Sequence, residues 1–229
     1  MLNHDDYHPP LDPYLDVVYE DLSIIVVNKP SGILSVPGKE AHLFDSILTR
    51  IQKKFPLAAA AHRLDMSTSG LLVIPKTRQA ASELGKQFQA RTVAKCYYAW
   101  VAGYLEKDQG TVDLPIALNE ECRPLQKIDF VKGRRAVTEF FCLYRQNDRS
   151  FVRLHPITGR SHQLRLHMKE LGHPILGDKW YATPEIKALA PHLYLHAGEL
   201  SFNHPGTRER MTFKILPPFP VPDDFSTEN

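Results

Sequence analysis

Apolar positions in the first third of the chain fall into short uninterrupted runs and helix-spaced sets. Residues 15–19 and 23–29 read as a strand pair around a turn at Glu20-Asp21. The second strand holds Ile24-Ile25-Val26-Val27, apolar without alternation, the pattern of burial on both faces. Lys29-Pro30-Ser31-Gly32 breaks it into a loop. Asp45 is placed to cap a helix whose apolar positions, Ile47, Leu48, Ile51 and Phe55, keep helical spacing. Leu71-Leu72-Val73-Ile74 predicts another buried strand, and Thr77 a cap for a helix with Ala80, Ala81, Leu84 and Phe88 on one face.

Further along, residues 95–101 read as an aromatic and β-branched strand. Residues 104–135 are punctuated by Gly110, Pro115, Pro124 and Gly133 and predict a long loop or a small inserted subdomain. Strand patterns return at 136–145 and 150–155. Ser161 is placed to cap a helix with Leu164, Met168 and Leu171 inward and Gly172 past its end, while His162, Arg165 and Lys169 form a basic stripe beside the apolar one. A short helix after Thr183-Pro184 and strands at 193–202 and 211–215 complete the series. Strands mixed with isolated helices, without a regular βαβ alternation, predict a mixed α+β fold with a largely antiparallel sheet and flanking helices. Residues 1–14 read as an extended arm, residues 15–216 as one domain, and the Pro-rich residues 217–229 as a poorly ordered tail.

Composition changes this picture little. A chain of 229 residues with 43% hydrophobic content can bury a sizeable core, and a net charge of +2 with a pI near 8.4 neither demands nor excludes a polyanionic partner. Local concentrations of positive charge at His62-Arg63 and across 160–169 matter more. Three widely spaced cysteines with no C-x-x-C pair argue against a disulfide framework or a zinc ribbon and for reduced cytoplasmic thiols. The polar, acidic start of the chain is not a secretory signal, and no apolar run has the length of a membrane span.

The chemistry concentrates in two segments. In His62-Arg63-Leu64-Asp65-Met66-Ser67-Thr68-Ser69-Gly70, one carboxylate stands between apolar neighbours at the edge of a predicted strand. Asp65 is either a turn former, its side chain capping Ser67-Thr68, or a nucleophile held ionised by a cation. The second segment, residues 155–165, brings cations without a matching acid. Arg165 lies next to an inward leucine and is the cation chosen to pair with Asp65, although a solvated helix arginine is the commoner fate. Gly159-Arg160-Ser161 at a helix start either holds a phosphate or only shapes the turn. Tyr97 is either core packing or a functional ring. His162 and His167 stand five apart, a poor helical chelate, and no His-Glu-x-x-His or P-loop motif occurs, so neither a metal nor a nucleotide cofactor is expected.

These segments resemble the catalytic signature of the RluA-type RNA pseudouridine synthases. His62-Arg63-Leu64-Asp65 with Ser67-x-Ser-Gly70 is joined in order by Val26-Val27-Asn28-Lys29-Pro30-Ser31-Gly32, Lys95-x-Tyr97, Gly159-Arg160-x-His162-Gln163-Leu164-Arg165 and Leu195-His196-Ala197, without departure at these positions. The resemblance implies isomerisation of uridine in RNA without metal or cofactor. It implies Asp65 as nucleophile, leaving open whether it attacks ribose or base or promotes an elimination. Arg165 would pair with it, Tyr97 would stack on the uracil and assist the last proton removal, and Leu195 would form an apolar wall. Arg63 would fill the stack vacated by the flipped base, with His62, Arg160 and His162 as further RNA contacts. The pattern begins near residue 15, so no separate N-terminal RNA-binding domain is expected, and the chain is most similar to short members acting on both 23S rRNA and the anticodon stem-loop of tRNA. A cytoplasmic monomer without obligate protein partner is the accompanying expectation. The rival readings are a non-catalytic RNA-binding protein and a base-releasing glycosidase, for which Glu139 is the candidate second acid.

Overall fold

A computed structural model describes residues 7–226; the start of the expected arm and the last tail residues lie outside the described residues. In chain order the elements are β1 (Val17–Glu20), β2 (Ile24–Lys29), α1 (Ile47–Gln52), β3 (Ser69–Pro75), α2 (Arg78–Ala90), β4 (Ala94–Ala102), β5 (Gln109–Asp113), β6 (Ile116–Leu118) and β7 (Gln126–Ile128). There follow β8 (Val137–Arg145), β9 (Arg149–Pro156), α3 (Gln163–Glu170), α4 (Pro184–Ala188), β10 (Leu195–Asn203) and β11 (Arg210–Lys214). The chain divides into two compact units: residues 1–94 with 198–216, and residues 95–197 with 217–229. The mixed α+β class with a largely antiparallel sheet is as the residue pattern predicts.

In the first unit β1 and β2 form an antiparallel pair, and β2 pairs antiparallel with β3 in a register running from Ile24↔Pro75 to Lys29↔Gly70. Asp21 closes the β1–β2 turn, its carboxylate accepting the Ser23 and Ile24 N–H groups at 2.7 and 2.8 Å. The apolar run of β3 is buried throughout, as a strand covered on both faces must be. Ala80 and Leu84 of α2 are buried, and Leu84 and the partly buried Phe88 pack with Ile24, Val26, Leu71, Val73, Leu200 and Phe202. A buried leucine such as Leu84 contributes about 2 kcal/mol by leaving water. Thr77 caps α2 through the Ala80 N–H, as the sequence predicts.

Asp45 does not cap α1. Ser46 does, in a reciprocal box with Thr49, because Asp45 is drawn instead into a two-pronged pair with Arg50 at 2.9 and 2.7 Å.

In the second unit β4 pairs antiparallel with β9, β9 with β8, and β8 with β5. Residues 104–135 thus supply an edge strand, β5, and a separate two-stranded sheet, β6–β7, rather than an unstructured loop. Leu164 and Met168 of α3 enter a core with Ala99, Val101, Phe140, Val152 and Leu154. Ser161 does not cap α3. His162 takes that position at φ +54° with no side-chain cap, and Gln163 folds back instead, its carbonyl accepting from Thr158 Oγ1 at 2.7 Å and Arg160 N at 3.0 Å. The expected basic stripe is broken as well, since His162 and Arg165 are buried and only Lys169 is exposed. The tail residues through 226 are packed rather than loose. Phe219 and Phe225 join Tyr98, Trp100 and Phe151, and Trp100 Nε1 donates to the Pro220 carbonyl at 2.7 Å. No helix of the described residues is long and apolar enough to cross a membrane.

Candidate active site

In the first unit the Lys29↔Gly70 register brings the loop after β2 alongside the loop before β3. The two are tied at every step around Asp65. Ser35 Oγ donates to the Leu64 carbonyl at 2.8 Å and accepts the Leu64 N–H at 3.0 Å. Gly32 N–H donates to Met66 O at 2.9 Å, and Ser31 Oγ to Ser67 O at 2.8 Å. The turn itself closes through the backbone, Thr68 N–H donating to the Asp65 carbonyl at 3.1 Å. Asp65 is half-buried on a loop whose flanking carbonyls are all held.

Beneath the loop lies Lys29, fully buried. Its ammonium donates to the carbonyls of Pro30, Ile33 and Met66 at 3.0, 2.7 and 3.0 Å. Burial pushes its pKa down to about 7, while the Asp65 carboxylate pulls it up. This charge fixes the main chain that carries Asp65 and places a cation in its field.

His62 is pinned on the other side, its Nε2 accepting the Val73 N–H at 3.0 Å and its ring stacked on Phe88 at 4.5 Å. A ring nitrogen accepting a backbone N–H carries a lone pair, so this hydrogen bond holds Nε2 unprotonated. Arg63, next in sequence, is exposed.

The second unit contains Tyr97, Glu139, Arg160, His162, Arg165 and Leu195. Tyr97 on β4 is half-buried opposite Leu154 and packs against the same core as Leu164 and the buried Leu195. Arg165 is 1% exposed and forms a two-pronged pair with Asp178, itself 0% exposed, with both hydrogen bonds at 2.7 Å. Asp178 also accepts the Trp180 and Tyr181 N–H groups at 2.9 and 3.1 Å, so one carboxylate fixes the guanidinium and the turn beyond it. The guanidinium carbon lies 4.7 Å from the Trp180 ring centroid and 5.2 Å from that of Tyr181. Tyr181 Oη accepts the Gln126 N–H and lies 2.8 Å from His162 Nδ1. Arg160 donates from Nε to the Arg135 carbonyl at 3.2 Å. Glu139 stands on β8 across from Thr111 and His155. No group of His, Cys, Asp and Glu able to hold a metal ion occurs among the described residues.

A family model described as RNA pseudouridylate synthase matches residues 23–170, more than half of the chain, including the Lys29, Asp65, Tyr97 and Arg165 segments. The chain belongs to the RNA pseudouridylate synthase family. Relatives of this synthase include the "Dual-specificity RNA pseudouridine synthase RluA" of Haemophilus influenzae, 52% identical over 93% of this chain and 98% of the relative. The protein of the same name from Escherichia coli K12 is 49% identical over 92% of this chain and 96% of the relative. Among solved structures, human RNA pseudouridylate synthase domain containing 1 superposes with a TM-score of 0.73 at 30% identity, over 90% of this chain and 84% of that one.

Sequence reading missed two residues of the synthase. Lys29 was visible only as part of a motif; its signal is a lysine ending an otherwise apolar, doubly buried strand, where an unpaired charge is untenable. Asp178, beyond the matched span, had a fainter signal: an acid after the apolar Ile175-Leu176 and a glycine.

Proposed function

We propose that this synthase converts specific uridines to pseudouridine in both 23S rRNA and the anticodon stem-loop of tRNA. The relatives' printed dual specificity, together with their nearly complete mutual coverage, supports the substrate reading. One structural observation carries the catalytic reading: Asp65 stands on a loop whose every neighbouring carbonyl is tied, above a buried ammonium. Such rigidity suits a group that must meet a reacting atom at a fixed position.

In the reaction the N1–C1′ bond of uridine breaks, the uracil turns, and a C5–C1′ bond forms. C5 gives up its proton and N1 regains one, so no atom is gained or lost and no redox cofactor is called for. Asp65 is the nucleophile, Arg165 the supporting cation, and Tyr97 the ring that stacks on the uracil and assists removal of the C5 proton. Leu195 supplies apolar wall surface. Extruding the uridine costs a few kcal/mol, and Arg63, exposed beside Asp65, fills the vacated stack. His62, Arg160 and the buried His162 are assigned to RNA binding, and the protein acts as a cytoplasmic monomer, with residues 15–216 as its catalytic domain and no obligate partner.

The test is tritium release from C5-labelled uridine in transcribed 23S rRNA and tRNA, assayed separately with wild type and Asp65→Asn. Release from both RNAs by wild type alone is the expected result. Release from one RNA only removes the dual specificity; release by Asp65→Asn removes the nucleophile. Arg63→Ala should slow turnover on the folded stem-loop at least tenfold, and wild-type turnover by that variant overturns its role.

A further inference from the structure

Between β7 and β8 the chain presents Phe130 and Val131 almost bare to solvent, 78% and 91% exposed. A single exposed apolar side chain is ordinary. Here two stand together on a turn built to hold them out. Asp129 Oδ1 accepts the Val131 and Lys132 N–H groups at 2.9 and 2.8 Å, and Gly133 N–H returns to the Asp129 carbonyl at 2.9 Å. The base of the turn is clamped by Asp129 N to Pro115 O at 3.0 Å and by a reciprocal pair between Ile116 and Arg134 at 3.0 and 2.9 Å. Gly133 admits no side chain, because a Cβ there would stand 2.1 Å from the Asp129 carbonyl oxygen.

The surroundings of the tip are cationic. Lys127, Lys132, Arg134 and Arg135 are all exposed within nine residues. Arg135 is paired with Asp113 at 3.1 Å and Lys127 lies 3.9 Å from Asp129, so Lys132 and Arg134 are the cations offered to a ligand at the tip. Arg160 donates to the Arg135 carbonyl, tying the end of this loop to the Gly159-Arg160 turn. An aromatic ring carried on a hydrogen-bonded turn among cations matches the two requirements of single-stranded nucleic acid, a π-face for a base and positive charge for its phosphates. A protein partner would instead call for a broader apolar patch with fewer like charges.

We propose that residues 129–135 form a stacking finger for an unpaired base of the RNA other than the uridine being modified, with Phe130 under the base and Lys132 and Arg134 on its flanking phosphates. The inference rests on the RNA reading above and adds a second, non-reacting contact point to it. Because the backbone of the turn is already fixed by hydrogen bonds, little backbone entropy is lost on binding.

Fluorescence anisotropy with a transcribed tRNA anticodon stem-loop and the full chain tests it, comparing wild type with Phe130→Ala, Phe130→Leu and Phe130→Trp. Each substitution lies at an exposed tip, so the fold is retained. Ala and Leu should both weaken the Kd about tenfold while Trp keeps it, and Lys132→Ala should lower the salt slope by about 0.7. Wild-type affinity for Phe130→Ala overturns the finger, as does wild-type affinity for Phe130→Leu, which would mark a merely apolar contact. A dimer of wild type that Phe130→Ala splits in sedimentation, with RNA affinity unchanged, overturns it in favour of a protein interface. Tritium release on the same RNA separates the two readings. Release with unchanged Phe130→Ala affinity removes only the finger; no release with weakened affinity removes the reaction and leaves the finger.

Discussion

Asp178→Ala gives a sharp test of how the second unit holds its buried charge. The substitution removes the two Asp178 oxygens to which the Arg165 guanidinium donates and the partner of two backbone N–H groups, in a place where arginine and aspartate are 1% and 0% exposed. Stranding one member of a buried pair costs about 3–5 kcal/mol. For a chain of this length that lowers Tm by roughly 10 °C. Arg165→Met strands the carboxylate instead, although Trp180 and Tyr181 still donate to it, and should cost about 3–4 kcal/mol. The double variant removes both charges of the pair and leaves two unmet N–H groups, and should cost about 4 kcal/mol rather than the sum of the singles. Both tryptophans lie in the second unit, so urea unfolding followed by tryptophan fluorescence reads this unit directly. A coupling energy of at least about 2 kcal/mol is expected. Additive single effects, or an Asp178→Ala loss below about 1 kcal/mol, would refute the pairing argument.

Three further outcomes follow from single positions. Lys29 is depressed from 10.5 to about 7, so between those values the unfolded chain binds more protons and this group's contribution to stability rises with pH, by about 2 kcal/mol from pH 7 to 9. The stability of wild type minus that of Lys29→Met should therefore climb over that window, and a flat difference contradicts it. Gly177 has φ +74° and a Cβ there would meet the His192 carbonyl oxygen at 1.9 Å, so Gly177→Ala should cost about 3 kcal/mol or more in urea melts, and a loss under about 1 kcal/mol contradicts the clash. Trp100→Phe deletes the donor to Pro220 and should cost about 1 kcal/mol while making residues 217–226 more open to limited proteolysis; unchanged cleavage would mean that other contacts hold the tail.

Local chemistry made several elements legible from residue order alone. The apolar runs at 24–27 and 71–74 leave no polar face, so they are buried strands wherever the rest of the chain goes. Thr77 and Thr183-Pro184 begin helices because a hydroxyl cap and a proline at the first turn act on neighbouring backbone only. The candidate site was proposed on another ground, the resemblance of the Asp65 turn and its companion segments to a family signature, since local chemistry alone left Asp65 either a turn former or a nucleophile.

Competition in space decided the rest. Asp45 lost the cap to Ser46 because Arg50 offered its carboxylate a stronger partner, and Ser161 lost it to His162 because Gln163 satisfied the preceding turn. The Pro-rich tail is packed because its two phenylalanines find Tyr98, Trp100 and Phe151, all far from it in sequence. Lys29 beneath Asp65 and Asp178 on Arg165 escape a linear reading for one reason. A buried charge is stable only when acceptors converge on it, and convergence is a property of the folded chain, not of residue order.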